Sequence, residues 1–231
     1  GEPGVPELNA YIEEVLKEGE TLGFDGRVVS VGEGEGYAAI AGKKNAKVNY
    51  QVDLIDEIWE DRPVLSEEPA FNLDVKYAGE TVASKLARIR EEMKEAGTNV
   101  HIVSTIDDIC WTLNIRGNAI ALFPLVLSYG IITLDRLALH TAESTSADTL
   151  KAKLAKDGVN LHPYNDIYED VKKFGSDVVA MIDPGKLNYA LFNNIPENVK
   201  TVEKRNPAIL MKAIKNPVEI ENIRKAQIKD S

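Results

Sequence analysis

The glycine-rich run at residues 32–36 (GEGEG) is the pattern in this sequence that comes closest to a phosphate-binding motif. It follows a predicted strand, and Asp53 lies at a distance along the chain that suits a ribose contact in a dinucleotide-binding fingerprint. Tyr37, however, occupies the position of the third glycine, and the two carboxylates of the run would face the pyrophosphate. The pattern therefore favours a surface loop over a nucleotide site.

Imidazole side chains, which can bind metals or transfer protons, occur at three positions. These are His101, His140 and His162. None of them has a second histidine at helical ligand spacing, and none begins an H-E-x-x-H motif. Because each lies on or beside a predicted strand, we expect strand packing or surface exposure, and we predict no metal site in this chain.

Nucleophiles and acid–base groups are present without recognisable partners. Ser104, Ser128 and Cys110 lack a nucleophile elbow or a base at a known spacing. The adjacent Asp107 and Asp108 would project about 100° apart on a helix, so helix capping explains them better than acid–base catalysis. We therefore predict no catalytic residue in this chain.

The turn at residues 114–118 (NIRGN) is different in kind, because it places a fixed positive charge between a short helix and the most apolar strand. The guanidinium of Arg116 can bind a carboxylate or a carbonyl with paired donors. Gly117 allows close approach of the backbone, and Asn118 completes the turn. Composition alone favours the simpler interpretation, in which Gly117 provides the turn and Arg116 forms a structural salt bridge.

Length and composition describe an ordinary globular protein of one or two domains, with 231 residues, of which 44% are hydrophobic and 28% charged. The net charge of -10 argues against nucleic acid and anionic membranes as partners. No apolar run approaches the roughly 20 residues that span a bilayer. The single cysteine, Cys110, permits no internal disulfide and fits a cytoplasmic location.

The elements that must position these side chains fall into two blocks. In the first block, a helix over 6–19 precedes a strand–turn–strand segment over 21–31 and a weak helix over 33–44. This block has too few strands for a self-sufficient sheet, so we expect a partner segment upstream. The second block alternates helices with short strands, which predicts an α/β fold with a mixed sheet flanked by helices. Its strands are predicted at 100–104, 125–133, 137–140, 159–162, 178–182 and 199–202.

Several stretches of the chain resemble the three-domain Xaa-Pro aminopeptidases, also called aminopeptidase P, of the pita-bread or creatinase superfamily. The most specific stretches are 53–63 (DLIDEIWEDRP) and 212–230 (KAIKNPVEIENIRKAQIKD), and they are specific as a pair. The weaker stretches follow the family's order along the chain and are 1–6, 22–25, 113–117, Pro124 and Ser128-Tyr129.

This resemblance implies a creatinase N-terminal-like fold, which is related to the ribonuclease H-like motif. Residues 1–58 would be part of a first such domain, and residues 59–74 a linker. Residues 75–214 would form the complete second domain. Residues 215–231 would be the opening helix of a catalytic domain that lies beyond this chain.

The resemblance also implies that the parent protein is a metallopeptidase, a hydrolase that removes an N-terminal residue preceding proline. Its catalytic domain would hold two manganese ions, whereas this chain would carry no cofactor and would be inactive alone. The chain would serve substrate access and domain or subunit contact. Its partners would be the missing C-terminal catalytic domain, proline-containing peptides and a second copy of the protein in a homodimer.

In related folds, the loop that corresponds to residues 114–118 borders the substrate cleft. The resemblance therefore makes Arg116, Gly117 and Asn118 the substrate-proximal residues of this chain. The alternative to the whole interpretation is a stand-alone interaction module or a small-ligand-binding α/β domain. A thermal-shift screen with nucleotides and amino acids would test the small-ligand alternative.

Overall fold

The computed structural model describes residues 4–66, 68–145 and 147–230. The chain divides into two compact units. The first unit consists of the residues up to Val64 together with Pro184–Ile195, and the second consists of Leu65–Asp183 together with the residues from Pro196 onward.

Helices and short strands alternate through most of the chain. The helices are α1 (Leu8–Val15), α2 (Val31–Lys43), α3 (Val75–Ala78), α4 (Val82–Glu95), α5 (Ile106–Leu113), α6 (Asp148–Lys156), α7 (Ile167–Asp170), α8 (Tyr189–Phe192), α9 (Pro207–Ala213) and α10 (Pro217–Asp230). The strands are β1 (Thr21–Gly23), β2 (Lys47–Asn49), β3 (Phe71–Asn72), β4 (Val100–Val103), β5 (Ile115–Arg116), β6 (Ser128–Thr133), β7 (Leu137–Thr141), β8 (Val159–Pro163), β9 (Val179–Ile182) and β10 (Lys200–Glu203). Short 3₁₀ turns flank α7 at Tyr164–Asp166 and Val171–Lys173.

The first unit contains a parallel pair of strands, β1 and β2, in which Leu22 is opposite Val48. Helices α1 and α2 pack together beside this pair, because each presents an apolar stripe to the same small core. The buried residues of that core are Ile12, Leu16, Ile40 and Ala41.

The run at 32–36 lies in the first turns of α2, which confirms the helix predicted over 33–44. The surface loop predicted for the run and the second strand predicted before it are wrong. Ser30 and Glu33 form a capping box: the Glu33 N–H donates to Ser30 Oγ at 3.3 Å, and the Ser30 N–H donates to Glu33 Oε2 at 3.1 Å. Gly34 is buried where a Cβ atom would collide with the ring of Tyr189. The glycine therefore serves helix packing within the first unit.

The two-stranded pair in the first unit should be less protected from hydrogen exchange than the six-stranded sheet of the second. A two-stranded sheet is marginal in water, and the core beside this one is small. We expect amides of β1 and β2 to exchange at least about tenfold faster than those of β4 and β6, measured by native-state exchange with mass spectrometry. Equal protection in all four strands would contradict this expectation.

The second unit is built on a six-stranded sheet with the order β10-β9-β4-β6-β7-β8. Strands β10, β9 and β4 run parallel, β6 is antiparallel to both β4 and β7, and β8 is parallel to β7. Strands β6 and β7, which were predicted at 125–133 and 137–140, form a hairpin around Asp135. Helices α4, α5 and α6 supply much of the remaining core, which includes Leu86, Ile89, Met93, Ile109, Leu113, Leu139, Leu154 and Met181.

The predicted mixed α/β sheet with flanking helices is therefore confirmed. Helix α8 begins after Asn188, whose side chain accepts from the Leu191 N–H at 2.8 Å. Among the described residues, no helix combines the length and the apolar character that a bilayer crossing requires.

Candidate functional site

The predicted substrate-proximal turn, residues 114–118, is held in place by the end of α5 and by the pairing of β5 with β3. Helix α5 ends at Asn114, whose backbone is left-handed, and β5 then pairs antiparallel with β3, with Arg116 opposite Phe71. Gly117 is buried, and a Cβ atom there would lie only 2.9 Å from Val126 Cγ2 and 3.1 Å from the Leu125 oxygen. Close approach, not an unusual φ angle, therefore requires glycine at this position.

The guanidinium of the half-buried Arg116 binds backbone carbonyls. Its Nη1 group donates to the Ile115 oxygen at 2.7 Å and to the Cys110 oxygen at 3.0 Å. Across residues 4–66, 68–145 and 147–230, no carboxylate lies within ion-pair distance of Arg116, so the structural salt bridge is not found there. Within the same ranges no hydrogen-bond partner accepts from Nε or Nη2. Asn118 is exposed beside this turn.

Beneath the turn, a buried lysine fixes the end of α5. Lys85 Nζ donates to the Trp111 oxygen at 2.8 Å and to Asn114 Oδ1 at 2.7 Å, and lies 4.3 Å from the centroid of the Trp111 ring. Burial lowers the pKa of Lys85 to about 8, against the opposing effect of Glu219 and Glu80. Trp111 itself is buried in the core of the second unit.

Cys110 is a buried packing group. Its Sγ atom accepts from the Val126 N–H at 3.3 Å, and burial raises the pKa of the thiol, which keeps it protonated. The thiol therefore has the properties of a structural cysteine.

A second polar group joins α5 to α9. Asp108 is 1% exposed and accepts from Lys212 Nζ at 2.6 Å, Asn206 Nδ2 at 2.9 Å and Thr105 Oγ1 at 2.6 Å. Lys212 also contacts Asp107. The capping interpretation of the two carboxylates is replaced by an ion pair, and the N-cap of α5 is Thr105, whose side chain makes no capping bond.

The ring of His101 is fully buried in the same region. Its Nδ1 atom lies 3.1 Å from the Met181 oxygen, and its Nε2 atom lies 3.2 Å from Asn206 Oδ1. Burial lowers the pKa of His101, so the neutral ring is favoured. His101 is thus a packed and hydrogen-bonded strand residue, as predicted.

The other two histidines meet at a third polar group, which we call the His–His–Asp cluster: His140, His162 and Asp170. His140 on β7 is directly opposite His162 on β8, and their rings are 4.9 Å apart, centroid to centroid. Asp170 reaches them from the end of α7: its Oδ2 atom lies 2.9 Å from His140 Nε2 and 3.1 Å from His162 Nδ1. Two imidazoles therefore face one carboxylate oxygen.

Burial sets the charge state of this cluster. It lowers the pKa of His140, against the opposing hydrogen bond to Asp170, so the ring is neutral at pH 7. Burial alone would raise the pKa of Asp170, but hydrogen bonds from Lys173 and His140 outweigh it and the net shift is downward. Lys173 Nζ contacts the second oxygen of Asp170 at 2.6 Å. An anionic carboxylate and a neutral imidazole therefore lie side by side.

A cleft of about 340 Å³ opens beside the cluster. His162 belongs both to the cluster and to the wall of this cleft, which Glu143 and Lys151 also line. Solvent thus reaches the cluster from the side of β8.

The sequence rules missed this cluster because they look for histidines three or four residues apart on one helix. His140 and His162 come instead from neighbouring parallel strands, and only the register of β7 with β8 brings them together. The available signal was the alignment of the predicted strands 137–140 and 159–162, each of which ends near a histidine.

Comparison with known families and proteins gives consistent matches. The family model described as Creatinase/Prolidase N-terminal domain matches residues 61–219. Aminopeptidase P2 of Arabidopsis thaliana is 29% identical over the whole chain, and Xaa-Pro aminopeptidase 1 of Dictyostelium discoideum is 32% identical over 99% of it. The chain spans only 37% and 38%, respectively, of the lengths of these two relatives.

A solved structure also matches nearly the whole chain. It is an X-prolyl aminopeptidase of Caenorhabditis elegans, described as a cytosolic enzyme with a di-nuclear active site. The match has a TM-score of 0.90 at 25% identity, and it covers 97% of this chain but 38% of the other.

Proposed function

Because this chain belongs to the creatinase/prolidase N-terminal domain family, we propose that it is the non-catalytic amino-terminal part of an Xaa-Pro aminopeptidase. The observation that carries the proposal is the match to the C. elegans enzyme, which extends over 97% of this chain but only 38% of that one. In this proposal, the parent is a cytoplasmic metallopeptidase that releases an N-terminal residue preceding proline.

We place catalysis outside this chain. In the parent, two divalent metal ions, which we expect to be manganese, would supply the Lewis-acid and hydroxide chemistry of peptide hydrolysis from the catalytic domain. Residues 1–58 then belong to a first domain, 75–214 to a complete second domain, and 215–231 to the start of the catalytic domain. The change of compact unit after Val64 supports a linker at 59–74.

The contribution of this chain is substrate access, and Arg116 is its principal residue. Two backbone carbonyls hold the guanidinium in place through Nη1. The N–H groups of Nε and Nη2 can then donate hydrogen bonds to a peptide carbonyl or carboxylate. A guanidinium that is already held in place loses little side-chain entropy when a ligand binds. Gly117 and the exposed Asn118 complete this surface.

The segment between the 114–118 turn and β6 also suits contact with another polypeptide. In this segment, Leu122 is 99% exposed and Phe123 is 62% exposed. We propose that this apolar tip contacts either the catalytic domain or a second copy in a homodimer.

The isolated 231-residue chain should release no N-terminal residue from an Xaa-Pro peptide, with or without added Mn²⁺. The physical reason is that the proposal places both metal ions and their ligands in another domain. The measurement is chromatography of the products, and the parent protein, assayed on the same peptide, is the positive control.

Turnover by the chain alone would show that it is catalytic and would overturn this division of labour. A parent that cleaves peptides without proline at the second position, and spares Xaa-Pro peptides, would overturn the proposed activity itself.

A further inference from the structure

We propose that the His–His–Asp cluster is a binding site for one divalent transition-metal ion of the zinc class. His140, His162 and Asp170 would be its three protein ligands, all within the second unit. The site is separate from the Arg116 turn, and it does not depend on the proposed peptidase function.

The spacing of the three side chains suits a tetrahedral ion. Zinc lies about 2.0–2.2 Å from nitrogen and carboxylate ligands, which places neighbouring ligand atoms about 3.3 Å apart in a tetrahedron. The distances from Asp170 Oδ2 to the two ring nitrogens are 2.9 and 3.1 Å, and the three ligand atoms all lie within 4.8 Å of one another. Shifts of a few tenths of an ångström at Asp170, with a closer approach of the rings, would create the site.

The ring of His140 is fully buried, and its Nδ1 atom has no hydrogen-bond partner among the residues that the structure describes. An ion bound at Nε2 would not contact Nδ1, so this nitrogen stays unpaired with or without the metal. The case for the site rests on the positions of His140 Nε2, His162 Nδ1 and Asp170 Oδ2.

The two histidines would bind the ion as neutral rings. Each ring would carry its proton on the nitrogen that faces away from Asp170 and offer the lone pair of the other nitrogen to the ion. Asp170 is already an anion, and Lys173 contacts its other oxygen, so Oδ2 remains for the metal.

The ligand types select the class of ion. Two imidazoles and one carboxylate suit Zn²⁺ or Co²⁺, whereas Mg²⁺ and Ca²⁺ prefer all-oxygen sites. The side chain of His162 is 36% exposed and lines the 340 Å³ cleft, so solvent has access to the fourth coordination position. Zinc sites that bind water or a substrate have this arrangement, with three protein ligands and one open coordination position.

The test is titration of the chelator-treated 231-residue chain with Zn²⁺ by isothermal calorimetry, with Co²⁺ as the spectroscopic probe. We expect one equivalent of Zn²⁺, visible absorption from tetrahedral Co²⁺, and no competition from Mg²⁺. Zinc at about 100 times its Kd should raise Tm by roughly 5 °C. Asp170→Asn should weaken zinc binding by at least about 100-fold, because it removes the anionic ligand.

The matched control is Glu169→Gln. Glu169 is the preceding carboxylate, is exposed, and pairs with Lys172 outside the cluster. This variant should bind zinc as the unaltered chain does. Absence of stoichiometric binding, or equal affinity in the Asp170→Asn and Glu169→Gln variants, would overturn the proposal. If Asp170→Asn fails to fold, His162→Asn at the partly exposed ring decides the question, since it should cause the same loss.

Discussion

Replacement of Arg116 by alanine in the parent protein should lower kcat/KM on an Xaa-Pro peptide by roughly 10- to 150-fold, while metal content stays the same. The loss corresponds to about 1.5–3 kcal/mol, the scale of one charge-assisted hydrogen bond between enzyme and substrate. The expectation follows from the geometry of the turn. The Nη1 group of Arg116 donates to two backbone carbonyls, whereas the N–H groups of Nε and Nη2 can still donate to a substrate.

Stability has to be measured beside activity, because Arg116 also has a structural role. Loss of the two carbonyl contacts should lower the free energy of unfolding by about 1–2 kcal/mol. Arg116→Lys should retain an intermediate kcat/KM, since an ammonium keeps the charge but not the fork of donors. Arg136→Ala is the matched control, because the side chain of Arg136 is exposed and lies 3.6 Å from the carboxylate of its neighbour Asp135.

A lower Tm with unchanged kcat/KM in the Arg116→Ala variant would assign the turn to structure alone. Equal losses of kcat/KM in Arg116→Ala and Arg136→Ala would indicate a general effect of net charge. Only a selective loss at Arg116 supports a contact with the substrate.

Local patterns in the sequence were sufficient for most of the second unit. Strands β4, β6 and β9 of its sheet are rich in apolar residues, and α4 has Val82, Leu86, Ile89 and Met93 at helical spacing. These signals act within a few residues along the chain, so they could be read without knowledge of the tertiary structure. The N-cap of α10 was also predictable, since Asn216 accepts from the Val218 and Glu219 N–H groups.

The first unit shows where local patterns can mislead. The three glycines of the 32–36 run lower helix propensity, so we predicted a surface loop for the run and only a weak helix from residue 33, whereas the capping box of Ser30 and Glu33 begins α2 at Val31. The reason for Gly34 is the ring of Tyr189, a residue distant in sequence. Asp53, the candidate ribose ligand, pairs with Arg62 at 2.5 Å.

The candidate sites depended on contacts that the sequence does not encode locally. Strand register joins His140 to His162, and the docking of α9 on α5 joins Lys212 to Asp108. Long-range contacts of this kind are fixed by the whole core, so the residue types were visible beforehand but their partners were not.

The Lys212–Asp108 pair gives the largest expected effect on stability. Lys212→Met should lower the free energy of unfolding by about 3–5 kcal/mol, because it leaves the Asp108 carboxylate buried without its cation. Thr105 and Asn206 would still donate to Asp108, but two neutral donors do not replace a positive charge. Urea unfolding followed by Trp111 fluorescence, in a Trp59→Phe background, reports the stability of the second unit.

Two further variants separate loss of the ion pair from loss of packing. Lys204→Met breaks a pair with Glu92 whose side chains are both more than a third exposed, so it should cost about 1 kcal/mol or less. Asp108→Asn combined with Lys212→Met removes both charges and should recover part of the stability lost in Lys212→Met. If Lys204→Met and Lys212→Met were equally destabilising, or the double variant recovered nothing, the buried charge would not be the cause. The stability of the α5–α9 contact would then have to come from the apolar atoms around it.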